Sequence, residues 1–398
     1  MVAATFRVIP KDIRPMASPK LFEPLTIRGV TMKNRVCVAP MHQYAADHGF
    51  ATDWHLMNIG RFAAGGAGLT FVESTKCDRR GCGTVGDLAL WDDKFIPGVK
   101  RLADFIKAHD SVAAIQIGHS GRKAKRYRPW EGGAPLLENP GVDRAYWDSW
   151  ELVAPSAEPA SPKDPTPRAL TNQEVKDLVG MWGQAARRAN ECGFDVFEIH
   201  GAHGYLIHQF LSPVANLRND EYGGSEANRM RFCTEVVESV RAHWPDDKPL
   251  FLRLSCEDRA GWDLAASVRL AKIVKTLGVD VIDCSGGGMQ GSPTEFAPSY
   301  GYQVPYSDTI RREADMLTMA VGLIVHAEQA EEILEKGQAD IIALAREILY
   351  NPNWPMDAAR KLGFENHLAT VPDQQAYWLG RREATAKEVV PSTYGQGW

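Results

Sequence analysis

Eight short apolar runs, separated by stretches of helical periodicity, constrain this chain more than any other feature. They fall at 35–40, 67–74, 112–117, 194–199, 250–255, 280–285, 317–323 and 340–344. Each is too short for a helix and apolar on both faces, as strands of a covered parallel sheet are. Helical patterns at 54–64, 94–109, 172–192, 226–243, 264–277 and 327–336 lie between them. The longest opens on Thr171 with Glu174 three residues on, a capping box. Eight strand–helix units predict an α/β fold, a single (β/α)8 TIM barrel. The alternative, a doubly wound open sheet, is weakened because no Gly-x-Gly-x-x-Gly follows the first strand.

The breaks in the repeat assign the remaining chain. Residues 21–30 alternate and turn like a hairpin that plugs one barrel end. The Pro-, Trp- and Gly-rich segment 126–170 is too long for a plain connection and reads as a lid after strand three. Its Trp130 and Trp150 either shape a substrate pocket or anchor the lid. The division expected is a loosely held extension at 1–17, the barrel at 18–364, and a tail at 365–398 that is either a disordered end or an arm docking on a neighbouring subunit.

Composition removes several classes of function. The 398 residues are 44% hydrophobic and 24% charged, which suits a barrel with a large core. A net charge of −5 gives no basic field for nucleic acid or an anionic membrane. No apolar run reaches the roughly 18 residues of a spanning helix, and no secretory leader is legible, so a cytoplasmic protein is expected. Seven cysteines, an odd number, suit reduced thiols. Cys77 and Cys82 read as loop thiols, since no second pair completes a zinc or iron–sulfur site.

In such a barrel the chemistry gathers at the carboxyl ends of the strands. Strand four ends in the richest stretch, where His200, His203 and Tyr205 emerge within six residues beside Gly201 and Gly204. Two imidazoles can donate to an oxygen that becomes negative, and a phenol can deliver a proton. A zinc-binding His-x-x-His turn, or two satisfied core histidines, are the alternatives. Other strand ends carry Ala39-Pro40-Met41-His42 and Tyr44, then Glu73 and Ser74, then Gln116 and the 119–123 run. Arg253 lies in strand five. Ser285-Gly286 opens a glycine run after strand six, Gly322 follows strand seven, and Ala345-Arg346 follows strand eight. A flat polar cofactor with a phosphate tail fits this set better than a metal.

The constellation resembles the old yellow enzyme family of FMN-dependent ene-reductases over roughly residues 20–364. The carrying motifs are Ala39-Pro-Met41, Gln116-x-x-His-x-Gly-Arg-Lys123, Glu198-Ile-His-x-Ala-His-Gly-Tyr205 with Phe210-Leu-Ser-Pro213, Asn216-x-Arg-x-Asp-x-Tyr-Gly-Gly224, and Leu344-x-Arg-Glu347 before Asn351-Pro352. Gln43-Tyr44 and the aromatic and arginine tail are most similar to the bacterial xenobiotic reductase, or thermophilic-like, branch. The resemblance implies bound FMN, NADPH or NADH as reductant, an activated alkene as substrate, and a homodimer or homotetramer. It implies flavin contacts from Ala39, Pro40, Met41, His42, Ser74, Gln116 and Arg253. The phosphate would be held by Ser285, Gly286, Gly322, Ala345 and Arg346, with Ala327 near it. His200 and His203 would bind the substrate oxygen, Tyr205 would donate the proton, and Tyr44 would touch substrate. Trp378 and Arg381 would reach a neighbouring subunit's site. An oxidative flavoprotein of the same fold, such as a desaturase or amine demethylase, and a flavin redox sensor are the alternatives.

Three positions depart from the family pattern. His42 stands where this branch has cysteine beside the flavin, and is expected to make the flavin potential depend on pH. Ala345 and Ala327 replace glycines, adding methyl groups near the phosphate. His326 at that rim is either a phosphate contact or a surface histidine.

Overall fold

A computed structural model describes residues 18–289 and 299–385. The expected extension at 1–17 and the end of the arm from 386, Trp398 included, lie outside the described residues. A hairpin, β1 (Leu25–Ile27) and β2 (Val30–Met32), precedes the barrel. The hairpin starts later than the expected 21–30 and runs to Met32, because Lys20–Phe22 forms a 3-10 turn instead; its corner falls within that range, where Arg28 is left-handed at φ 51°. The barrel strands are β3 (Val36–Val38), β4 (Leu69–Lys76) and β5 (Val112–Gly118). The lid follows, with the short helix α3 (Arg144–Asp148) and the parallel pair β6 (Val153–Ala154) and β7 (Arg168–Ala169). The barrel then continues with β8 (Val196–Gly201), β9 (Leu250–Ser255), β10 (Val281–Ser285), β11 (Leu317–Ala320) and β12 (Ile341–Leu344). All eight are parallel, and they close as β10-β11-β12-β3-β4-β5-β8-β9.

The connecting helices are α1 (Asp53–Ala64), α2 (Ile96–Lys107), α4 (Asn172–Glu191), α6 (Glu226–His243), α7 (Leu264–Thr276), α8 (Val304–Ala314) and α9 (Ala327–Glu335). The capping box at α4 forms as read, with the Glu174 amide donating to Thr171 Oγ1 at 3.2 Å and the Thr171 amide to Glu174 Oε2 at 2.9 Å. No sequence signal marked α8. Its buried stripe is only Val304, Ser307, Ile310 and Ala314, too thin to stand out among its charges. Short helices α5 (Leu206–Leu211) and α10 (Arg346–Tyr350) leave β8 and β12, and α11 (Trp354–Lys361) and α12 (Asp373–Thr385) complete the described chain.

The barrel interior explains where the site lies. One buried cluster draws alternate residues from all eight strands, including Cys37, Phe71, Ala114, Val196, Phe251, Val281, Met319 and Ile341. Ile27 and Met32 of the hairpin join it, which plugs the barrel at the end where the strands begin. Burying a phenylalanine such as Phe71 or Phe251 there contributes roughly 1.5–3 kcal/mol. Side chains two residues further along each strand point the same way. On β5, β8, β9 and β10 those positions are Gln116, Glu198, Arg253 and Asp283, and two further on lie Gly118, His200, Ser255 and Ser285. The interior therefore turns from apolar to polar toward the carboxyl ends of these four neighbouring strands. Among the described residues no helix is long and apolar enough to cross a membrane.

Candidate active site

The lower polar layer is built from pairs on adjacent strands. Gln116 and Glu198 are register partners, and Gln116 Nε2 donates to Glu198 Oε1 at 2.8 Å. Arg253 and Asp283 are register partners, with Nε 3.0 Å from Oδ2. Burial, with the Asp283 charge beside it, pushes the Glu198 carboxyl well above its usual range, against Arg253 and Gln116. Burial pushes Asp283 up as well, against Arg253 alone. One guanidinium faces two carboxyls. Asp283, in direct contact with it, holds the anion, and Glu198 keeps its proton.

Above this layer the three residues singled out at the end of β8 converge. The His200 and Tyr205 rings lie 4.8 Å apart, and His200 Nε2 is 3.4 Å from His203 Nδ1. The Ala202 amide donates to His200 Nδ1 at 3.2 Å, so the neutral ring carries its proton on Nε2. His203 Nε2 lies 2.8 Å from Ser285 Oγ. Burial first, then neighbouring cations, hold both imidazoles well below the ordinary histidine range, so both are neutral donors. Burial likewise raises the Tyr205 phenol, with Tyr44 and Asp87 adding to it, so it stays protonated.

His203 adopts φ 58°, a left-handed backbone that costs a non-glycine residue about 1–3 kcal/mol. The surroundings impose it. The His203 amide donates to Ser255 Oγ at 2.8 Å, and Lys123 Nζ donates to the carbonyls of His203 and Gly288. The Gly204 amide donates to His208 Nδ1 at 2.9 Å. A Cβ on Gly288 would come within 2.5 Å of His203 Cα, so the two loops touch backbone to backbone.

A second cluster sits under His42. β4 and β5 slip register between Val72 and Thr75, a bulge that re-aims Glu73 and Ser74. Glu73 is 4% exposed; its Oε2 accepts from the Gln43 amide at 2.6 Å and lies 3.7 Å from His42 Nδ1. Its Oε1 lies 3.0 Å from His55 Nε2. Burial alone would raise this carboxyl, but His42 and His55 outweigh it and bring it down to about 2. His42 Nε2 is 3.5 Å from the Tyr205 hydroxyl. Ser74 accepts from the fully buried Lys76 Nζ at 3.4 Å, and that ammonium sits 3.5 Å from Asp87 and 5.3 Å from the Tyr205 ring.

Of the expected phosphate residues, Ser285, Gly322, Ala345 and Arg346 line a cavity of about 270 Å³ at the same mouth, together with Gln303 and with Arg253, which was expected at the flavin ring; Gly286 is not among the lining residues. Gly322 has φ 117°, and a Cβ there would meet Gln303 Nε2 at 2.9 Å. Gly286 lies against Tyr306 and Gln303. Ala327, expected near the phosphate, has its side chain in an apolar cluster with Ile324 and Ala330 and is not among these lining residues. His326 caps α9 and lies edge-on to Tyr300 at 5.2 Å. Ala39 is buried beside the mouth, its amide bonded to the Leu344 carbonyl, while Pro40 and Met41 are partly exposed. Two guanidiniums, a hydroxyl and a glycine that tolerates no side chain make a cradle for a phosphorylated group. Asp283 and Glu198 Oε2 also accept no hydrogen bond, leaving buried polar capacity beneath it. The described residues hold no cluster of metal-ligating side chains.

The lid separates its two tryptophans. Trp150 is fully buried, donates to the Cys82 carbonyl at 3.0 Å and stacks under Arg79, so it anchors the lid. Trp130 is exposed and packs edge-on against Tyr44, whose ring stacks on His42 at 5.2 Å. Cys77 and Cys82, read as loop thiols, are buried like the other five. The arm forms α12, where Trp378 lines a separate cavity with Asn353 and Met356, and Arg381 is exposed. Neither joins the mouth of its own barrel.

Sequence reasoning gave no chemical role to Glu198, Asp283, Lys123, His208 or His55. The signal for the first two was present: each shares the inward parity of its strand with a residue already chosen. His55 and His208 carried none, because only the folded chain brings His55 to Glu73 and His208 to Gly204.

Residues 20–365 match the model of the NADH:flavin oxidoreductase / NADH oxidase family. An NADPH dehydrogenase of Geobacillus sp. (strain WCH70) is 44% identical over 347 residues, 86% of this chain and 94% of that protein. Among solved structures, morphinone reductase aligns with a TM-score of 0.71 at 26% identity, over 88% of this chain and 91% of that one. A 2-naphthoyl-CoA reductase complex aligns at 0.77 with 25% identity over 89% of this chain, which spans only 54% of that longer one.

Proposed function

The chain belongs to the NADH:flavin oxidoreductase / NADH oxidase family, the old yellow enzymes, and from that premise we propose that it reduces the C=C bond of activated alkenes. It is an NAD(P)H-dependent oxidoreductase with FMN as cofactor. The substrates are α,β-unsaturated carbonyl or nitro compounds. The observation that carries this reading is the meeting of a neutral His200 Nε2–H and a protonated Tyr205 at the mouth, their rings 4.8 Å apart.

Ser285, Gly322 and Arg346 would hold the FMN phosphate, and Gln116, Arg253, Ser74 and the 39–41 backbone would face its ring. FMN, when bound, supplies the hydride for the alkene β-carbon and is reloaded by NADPH or NADH. His200 donates from Nε2 to the activating oxygen of the substrate and stabilises the negative charge that grows there, an effect of about 2.7–4 kcal/mol for one preorganised donor. His203 gives its Nε2 to Ser285 in this structure, so it must turn away from that hydroxyl to serve the same oxygen. Tyr205 Oη delivers the proton to the α-carbon. Tyr44 and Trp130 close the substrate side and exclude water. In a homodimer or homotetramer, Trp378 and Arg381 of one copy reach the site of another; sedimentation as a monomer would exclude that contact.

Absorbance spectroscopy tests the reading. The yellow protein should bleach anaerobically with NADPH or NADH and recover its colour with 2-cyclohexenone. Tyr205→Phe should bleach normally but recover about 10²–10⁴-fold more slowly. Recovery with oxygen only would move the protein to the oxidative class.

A further inference from the structure

We propose that His42, held over the Glu73 carboxylate, is the proton reservoir of Tyr205 and returns a proton to the phenol oxygen after each turnover. The proposal rests on the reading of Tyr205 as proton donor. Its geometry is a continuous line of groups. Tyr205 Oη lies 3.5 Å from His42 Nε2, His42 Nδ1 lies 3.7 Å from Glu73 Oε2, and Glu73 Oε1 lies 3.0 Å from His55 Nε2.

The far end of that line is fixed. The Thr52 amide donates to His55 Nδ1 at 3.0 Å, so the neutral His55 ring carries its proton on Nε2, toward the carboxylate. The Gln43 amide holds the other Glu73 oxygen at 2.6 Å. Glu73 is thereby a buried anion with fixed donors, and the His42 side chain beside it is 15% exposed. The other titratable groups near His42 are accounted for. Tyr44 stacks on it from the same loop. Lys76 on β4 has its charge offset by Asp87. His200 and His203, at the end of β8, are neutral.

The step balances without any oxidant. The Tyr205 O–H bond breaks as its proton forms the new C–H bond at the substrate α-carbon. The phenolate lone pair then takes the proton from His42 Nε2, leaving a neutral imidazole. Solvent reprotonates that ring at its exposed edge, and Glu73 holds the charge it gains.

Two measurements on the FMN-loaded protein test this. In the first, Glu73→Gln, which removes the anion beside His42 Nδ1, should slow recovery with 2-cyclohexenone by about fivefold or more relative to bleaching, and Glu73→Asp, which keeps the charge, should restore most of it. In the second, stopped-flow traces follow both halves of turnover. His42→Gln and His42→Asn should slow recovery with 2-cyclohexenone at least about tenfold more than they slow bleaching by NADPH, with a larger solvent deuterium effect on recovery alone. Wild-type recovery in Glu73→Gln, or in the His42 variants, overturns the proposal. Wild type that bleaches but never recovers with the enone overturns the reading of the function and this proposal with it. Recovery of wild type and variants alike overturns the proposal alone.

Discussion

Glu73 offers a direct test of how the site is held together, because its effect on stability has a definite sign with pH. Its carboxyl ordinarily titrates near 4.5 and is brought to about 2 in the fold. The group is almost fully buried, so the difference converts to stability at about 1.4 kcal/mol per pH unit, or about 3 kcal/mol in all. A carboxyl whose folded value is depressed contributes fully above its unfolded value. The contribution is lost as pH falls from about 4.5 through about 2. Glu73→Gln removes the charge and should therefore lower stability at pH 7 by about 3 kcal/mol and little by pH 2. For 398 residues the unfolding entropy is roughly 0.8 kcal/mol per kelvin, so the melting temperature should drop by about 4 °C at neutral pH. Melting curves of wild type and variant from pH 7 to pH 3, with and without excess FMN, measure the gap. A gap of the same size at pH 3 and pH 7, or none at pH 7, would refute the argument that His42 and His55 hold an anion there.

Lys123 is pushed down to about 8 by burial, with Arg122 and Arg126 adding to it, yet it ties the His203 and Gly288 carbonyls together. Lys123→Met should cost about 2 kcal/mol in urea unfolding by leaving those carbonyls without a donor, and should lower kcat/KM for an enone by loosening the His203 backbone. Arg253→Met strands the Asp283 carboxylate and should cost about 3–5 kcal/mol. Adding Asp283→Asn should recover much of that stability, measured by melting, without recovering FMN affinity, measured by fluorescence titration.

Most of the scaffold was legible because a barrel strand is a local object. Runs such as 250–255 are short, apolar and bounded, and β9 (Leu250–Ser255) occupies that very stretch. The helix α8 was not legible because its buried stripe, Val304, Ser307, Ile310 and Ala314, is too thin to stand out among its charges. Among site residues, those on strands or in glycine-rich turns were readable: Arg253, Ser285 and Gly322 line the mouth, and Gln116 lies in the polar layer beneath it. Ala327 was placed by analogy with a glycine, and its side chain went to the core instead. Glu73 was visible as a strand-end residue, but its role was not. A one-residue bulge decides which face it meets, and no spacing in the sequence announces a bulge.

That bulge also explains how one strand serves two kinds of chemistry. Without the slip between Val72 and Thr75, Glu73 and Ser74 would point to opposite faces of β4 in strict alternation. With it, Glu73 meets His42 and His55, while Ser74 stays against Lys76 and the Gly118 backbone, where a Cβ would come within 2.9 Å of its hydroxyl. The carboxylate and the ammonium thus flank Tyr205 from one strand, each with its own counter-ion, so neither needs the phenol as a partner. A phenol left without a strong acceptor keeps its proton until a substrate carbon or a neighbouring base competes for it. The same strand that fixes the donor therefore also supplies the means to refill it, and moving the bulge by one residue should lose both at once.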